Sequence, residues 1–61
     1  MRTLTNIDGD KFFYEDNKLH REDGPAIIYR NGNREWYYKG ELIPVTCQDE
    51  FVRYIKLYYF S

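Results

Sequence analysis

His20, Glu22 and Asp23 stand in one short run, and Cys47 is the single thiol of the chain. An imidazole beside two carboxylates is a candidate for proton transfer or for a metal, and a thiol at the start of a helix is a candidate nucleophile, because the helix dipole favours the thiolate. Neither constellation is complete. The chain holds one His and one Cys, too few for a ligand set with recognisable spacing or for an assembled triad. The bland reading is therefore preferred: Asp23-Gly24-Pro25 is a turn, Arg21 pairs with a nearby carboxylate, His20 sits on a sheet beside Phe13, and Cys47 is a small residue near a helix start. No catalytic residue, metal ligand or cofactor is expected.

The elements that must position these residues are bounded by size and charge. A 61-residue chain makes one small domain that buries only roughly 60% of the surface its unfolded form exposes. Small domains usually find extra support in disulfides, metals or association, and with one cysteine the last remains. Ten acidic and nine basic side chains give a formal net charge of −1, which argues against nucleic acid as a partner and against acidic mimicry of it. No apolar run reaches membrane-spanning length, and the first residues lack the apolar core of a signal peptide. A cytoplasmic location is the expectation.

A repeat organises the rest. Residues 8–19 align without gaps on residues 31–42, an offset of 23 (32 minus 9, from Gly9 and Gly32). Gly, Tyr and Leu recur, and Lys/Arg and Phe/Trp are matched in kind. Repeats of this kind are supersecondary units that stack to bury their apolar faces and build surfaces. Turn signals at Asp8-Gly9, Asp16-Asn17, Asp23-Gly24-Pro25, Asn31-Gly32 and Lys39-Gly40 separate short strands at about 2–7, 11–14, 18–21, 26–30, 34–38 and 41–43. The expectation is an α+β fold: an antiparallel β-meander of five or six short strands over residues 1–45, then one amphipathic C-terminal helix over 46–60, in a single domain spanning 1–61.

Two-residue loops fix a register, and the register sorts side chains onto two faces. Around Asn31-Gly32, Tyr29 is set opposite Arg34 and Ile27 opposite Trp36; around Lys39-Gly40, Tyr37 is set opposite Leu42. Tyr14 faces Leu19, and Phe13 faces His20. One face then carries Tyr14, Leu19, Ala26, Ile28, Tyr37 and Leu42. The other carries Phe13, His20, Ile27, Tyr29, Arg34, Trp36 and Tyr38, with Ile43.

Thr46 with Asp49 suggests a helix start, and Phe51, Val52, Tyr54, Ile55, Tyr58 and Tyr59 form one helical stripe opposite Arg53 and Lys56. Such a helix can cover one face. It is expected on the aliphatic side, where Ala26, Ile28, Leu19 and Leu42 leave room for Phe51, Tyr54 and Ile55; the converse arrangement leaves Leu19, Ile28 and Leu42 exposed. Either way one apolar face needs a partner.

His20-Arg21-Glu22-Asp23-Gly24-Pro25-Ala26, followed by Ile27-Ile28-Tyr29, Asn31-Gly32 and Trp36-Tyr37-Tyr38-Lys39-Gly40, resembles a repeat unit of the phage and giant-virus proteins built from tandem HREDGPA-type blocks. These are similar to MORN repeats, which form antiparallel hairpins in a row. The resemblance covers roughly residues 8–44. It departs at Leu42-Ile43-Pro44, where another His-Arg pair would be expected. It implies binding without fixing the partner.

The residues and the resemblance together lead to a non-enzymatic binding module, a small phage protein that binds and inhibits or redirects a host protein. Phe13, His20, Ile27, Tyr29, Arg34, Trp36 and Tyr38 are the expected partner-binding residues, since Trp, Tyr and Arg dominate binding hot spots. Two alternatives stand beside it. One is a homo-oligomer that sequesters a nucleotide-like small molecule, with Tyr and Trp stacking on the base and Arg21, Arg30 or Arg34 meeting phosphates. The other is a weak single-stranded nucleic-acid binder.

Overall fold

A computed structural model of the chain describes residues 2–59, so Met1, Phe60 and Ser61 lie outside the described residues. Six strands, β1 (Arg2–Thr5), β2 (Lys11–Glu15), β3 (Lys18–Leu19), β4 (Ile27–Ile28), β5 (Arg34–Tyr38) and β6 (Glu41–Ile43), precede one helix, α1 (Gln48–Tyr58). The strands form an antiparallel sheet in the order β1-β2-β4-β5-β6. β3 pairs with the last two residues of β2 and β4 with the first two, so both lie along the edge that β1 leaves free. This is the expected α+β meander with a C-terminal helix.

The repeat is visible in the backbone. β2 and β5 are related by the 23-residue offset at both ends, and β3 begins where the offset sets the start of β6. Each unit opens with a loop that holds a glycine at positive φ, Gly9 at 92° and Gly32 at 94°. Each closes with a two-residue turn in which both residues have positive φ: Asp16 and Asn17 at 52° and 65°, Lys39 and Gly40 at 50° and 88°. Those values are the type I′ hairpin geometry, and the pairs Tyr14–Leu19 and Tyr37–Leu42 follow as expected.

The opening loop is one residue longer than a two-residue hairpin. The Tyr29 amide donates to the Asn33 carbonyl at 2.7 Å, and the Gly32 amide donates to the Tyr29 carbonyl at 2.9 Å. Residues 30–32 thus form a three-residue loop ending in a left-handed glycine, a common hairpin connection. The loop at residues 7–9 repeats it, with Asn6 bonded to Asp10 and Gly9 to Asn6.

That extra residue corrects the expected register. Ile28 lies opposite Arg34 and Ile27 opposite Glu35, not Tyr29 opposite Arg34 and Ile27 opposite Trp36. A one-residue slip moves every side chain to the other face. Ile27 and Tyr29 therefore share a face with Phe12, Tyr14, Leu19, Tyr37 and Leu42, while Ala26 and Ile28 share one with Phe13, Trp36 and Tyr38.

The helix covers the Trp36 face, which corrects the expectation that it lies on the aliphatic side. Trp36, Tyr38, Ile43, Phe51 and Ile55 form the buried cluster, with Val45, Tyr54 and Tyr59 packed against it. The chain path explains this. The Val45 amide bonds the Ile43 carbonyl at 2.8 Å, a tight three-residue turn that drops the chain onto the face Ile43 already points to. The apolar stripe of α1 is narrower than expected, since Val52 and Tyr58 are exposed.

The helix start also differs. Cys47, extended at φ −151° and ψ 167°, is the N-cap and makes no side-chain cap bond. Thr46 sits one position earlier, where both its amide and its hydroxyl donate to Oε1 of Glu50, at 2.9 and 2.8 Å. These bonds hold the Glu50 carboxyl below its ordinary range. The pairing reproduces half of a capping box, displaced by one residue.

Candidate functional site

The HREDGPA segment bridges the two repeats, and its residue types are explained by what each one touches. His20 is buried, with its ring 4.7 Å from that of Tyr38. Its Nδ1 accepts the Lys39 backbone N–H at 2.9 Å, which leaves the proton on Nε2 to be donated to Oε1 of Glu22 at 3.3 Å. Glu15 lies farther off, its Oε2 at 3.9 Å from Nε2.

Arg21 sits over the Phe13 ring, its Cζ 4.0 Å from the ring centroid. It donates through Nε to Asp23 at 3.0 Å and through Nη1 to the Pro25 carbonyl at 3.3 Å. Gly24 allows this wrap, because a Cβ there would stand 3.0 Å from Arg21 Cζ. Ala26 is fully buried. The Arg21–Asp23 pair and the His20–Phe13 adjacency, in which the His20 amide donates to the Phe13 carbonyl at 3.1 Å, match the bland reading, while residues 22–24 form a bend and not the expected hydrogen-bonded turn.

The same segment is tied to the helix. Gln48 accepts the Trp36 indole N–H at 2.9 Å and donates to the Glu22 carbonyl at 3.0 Å. Sequence reasoning missed Gln48, whose only signal was its position at the helix start facing a buried indole that needs an acceptor.

A small hollow of about 200 Å³ opens beside His20, lined by Glu15, Asp16, Lys18, Glu22 and Lys39. Its charges are of both signs. Among the described residues no group of three or more His, Cys, Asp or Glu side chains comes together in a way that could hold a metal ion.

The seven expected partner-binding residues do not share one open face. Trp36 and Tyr38 are buried beneath the helix, Tyr38 with its ring near those of His20, Phe51 and Tyr59. Phe13 is covered by Arg21, and Arg34 is exposed at the rim, 5.9 Å from the Trp36 ring. Ile27 and Tyr29 are on the opposite side, for the register reason given above.

That opposite side is the surface the helix leaves uncovered. By register it carries Leu4, Phe12, Tyr14, Leu19, Tyr37 and Leu42 beside Ile27 and Tyr29. Leu4 and Leu42 are 44% and 56% exposed. A carboxylate, Glu35, stands among them. The Tyr29 hydroxyl donates to its Oε1 at 2.8 Å and the Tyr37 hydroxyl reaches its Oε2 at 3.5 Å. The hydrogen bond to Glu35, then burial, pushes the Tyr29 phenol up to about 12. Burial first, then the Glu35 charge, raises Tyr37.

The two opening loops also touch. Asp10 accepts the Arg30 amide at 2.6 Å through one oxygen and the Asn6 side-chain amide at 3.0 Å through the other. These bonds, the Arg30 amide first, hold the Asp10 carboxyl below its ordinary range.

No protein-family model, curated protein or solved structure matches the chain. No helix of the described residues is long and apolar enough to cross a membrane.

Proposed function

We propose that the chain is a non-enzymatic binding module that docks a partner protein on the sheet face opposite the helix. The observation that carries this reading is the contrast between the two faces. One is sealed by α1 over Trp36, Tyr38 and Ile43. The other leaves Leu4 and Leu42 about half exposed in a field of half-buried Phe and Tyr side chains. Contiguous apolar surface of this kind, rimmed by polar groups, marks interaction sites, and tyrosine is suited to them because its ring buries area while its hydroxyl keeps a polar partner.

The internal engagement of His20 supports a binding role over catalysis, since both ring nitrogens are already hydrogen-bonded to the protein. A host protein as the partner, with the chain acting as an inhibitor, rests on the resemblance of the His20–Ala26 segment to phage and giant-virus repeat proteins. The nucleotide-sequestering alternative has less to draw on, because Arg21 is committed to Phe13, Asp23 and Pro25.

A photo-cross-linking residue placed at Leu42, and in a second sample at Lys56 on the outer side of the helix, tests the reading in host cells. A single protein adduct formed from position 42 and not from position 56 supports it. Equal labelling from both positions, or labelling from 56 alone, rejects the face.

A further inference from the structure

Glu35 is a carboxylate set among the apolar and tyrosyl side chains of the open face; Asp10, which also lies near Tyr29, is taken up by the Arg30 and Asn6 amides. Among the described residues no Lys or Arg lies within ion-pair distance of Glu35. Arg34, its neighbour in sequence, belongs to the other face and leans toward Trp36. Arg2 is on the open face but on β1, with β2 and β4 between it and β5, a gap of roughly 14 Å at ordinary strand spacing. An arginine side chain does not cross that distance.

The carboxylate is nonetheless held in place. The Tyr29 hydroxyl donates to one oxygen at 2.8 Å and the Tyr37 hydroxyl lies 3.5 Å from the other, so at most two of the roughly four lone-pair directions an ionised carboxylate offers are used within the protein. The remaining directions are open to a donor from outside. Ile27, paired directly across from Glu35, is 5% exposed, so one flank of the carboxylate is apolar.

We propose that the open sheet face selects a protein segment presenting an arginine or lysine side chain between apolar residues, with Glu35, positioned by the Tyr29 hydroxyl, as the counter-charge. The proposal rests on the open face being the docking surface and adds the chemistry of the partner. Leu42 and Phe12 take the flanking apolar side chains, and Glu35 takes the cation. Charge at such a position discriminates among partners more than it adds bulk affinity.

The test uses the full chain, labelled with ¹⁵N, and acetylated, amidated tripeptides as probes: leucyl-arginyl-leucine, leucyl-glutaminyl-leucine and leucyl-glutamyl-leucine. Each is titrated against the wild type and against Glu35→Gln, whose amide oxygen still accepts from the Tyr29 hydroxyl. The expected result is amide shifts confined to β2, β4, β5 and β6, with the arginine probe binding roughly two- to fivefold more tightly than the glutamine probe, the range of an exposed ion pair. That preference disappears in Glu35→Gln while the glutamine probe is unaffected. Equal binding of the arginine and glutamine probes to this face overturns the cation selection and leaves the docking face standing. Shifts absent from this face with all three probes overturn both. Shifts that depend on protein concentration without any probe show a second copy on the face, and also overturn the proposal.

Discussion

The backbone N–H of Lys39 donates to Nδ1 of His20 at 2.9 Å, so a side chain of the segment between the repeats holds the closing turn of the second. The Gly40 amide reaches the Leu19 carbonyl at 2.8 Å on the same strip of chain. His20→Phe keeps a ring against Tyr38 but leaves the Lys39 amide without its acceptor, and is expected to cost about 1–3 kcal/mol. His20→Ala adds a cavity and is expected to cost more, about 2–5 kcal/mol. His20→Asn, whose amide oxygen can take the same N–H, should fall below both. Urea unfolding of the three variants checks the order; a Phe variant as stable as the wild type removes the amide bond from the account.

Gln48 joins three parts of the molecule, the Trp36 indole on β5, the Glu22 carbonyl in the HREDGPA segment and the first turn of α1. Gln48→Ala strands a buried indole N–H and is expected to cost about 1–3 kcal/mol. Gln48→Glu keeps an acceptor for Trp36 and loses the donor to Glu22, so its cost should be smaller. The indole proton resonance in NMR reports the difference directly: it should move to the position of a free indole in the Ala variant and stay shifted in the Glu variant.

The fold was legible because hairpin turns and an amphipathic helix are written locally. Asp16-Asn17 and Lys39-Gly40 both adopt the expected positive-φ turns, and Phe51 and Ile55 occupy the buried stripe. The site was less legible because face assignment depends on a single residue of loop length. Asn31-Gly32 has the composition of a two-residue turn, yet the loop includes Arg30. Its match in the first repeat, where Asn6 and Asp10 bracket a loop ending in Gly9, held the needed signal: Asn6 Oδ1 accepts the Asp8 and Asp10 amides at 3.1 and 2.9 Å, a local bonding pattern natural to Asn. The side of the sheet the helix takes was not written locally at all. It is set by the turn at Ile43–Val45 and by the fit of Trp36 to Gln48.

The pH dependence has a sign on each limb. The hydrogen bond to Glu35 pushes the Tyr29 phenol up to about 12 from its ordinary 10.0, so its contribution is whole below pH 10 and is lost as pH rises from 10 to about 12. In a tyrosinate absorbance titration Tyr29 should ionise late, and Glu35→Gln should move it toward the ordinary value. Asp10 has the opposite shift, below 3.8. Its contribution is present above 3.8 and is lost as pH falls through the folded value, so Asp10→Asn should differ from the wild type at neutral pH and converge with it in acid. Thermal unfolding across the acid limb measures this, and parallel curves for the two proteins would show that Asp10 is not the group responsible.

Leu42 and Trp36 lie on neighbouring strands but on opposite faces of the sheet, and the two should respond to substitution in opposite ways. Trp36 is 3% exposed and packs in the helix-covered cluster, so Trp36→Ala is expected to cost about 3–5 kcal/mol, enough to unfold much of so small a domain. Leu42 is 56% exposed on the open face, and Leu42→Asp should change stability by only about 0.5 kcal/mol. It places a charge in the apolar surface beside Tyr37, however, and should weaken partner docking sharply while the fold persists. Melting temperature and cross-linking yield measured on the same samples separate the two effects. A Leu42→Asp protein that melts like the wild type and still captures the partner in full would move the functional surface away from this face, and a Trp36→Ala protein that stays folded would show that the helix does not depend on the indole beneath it.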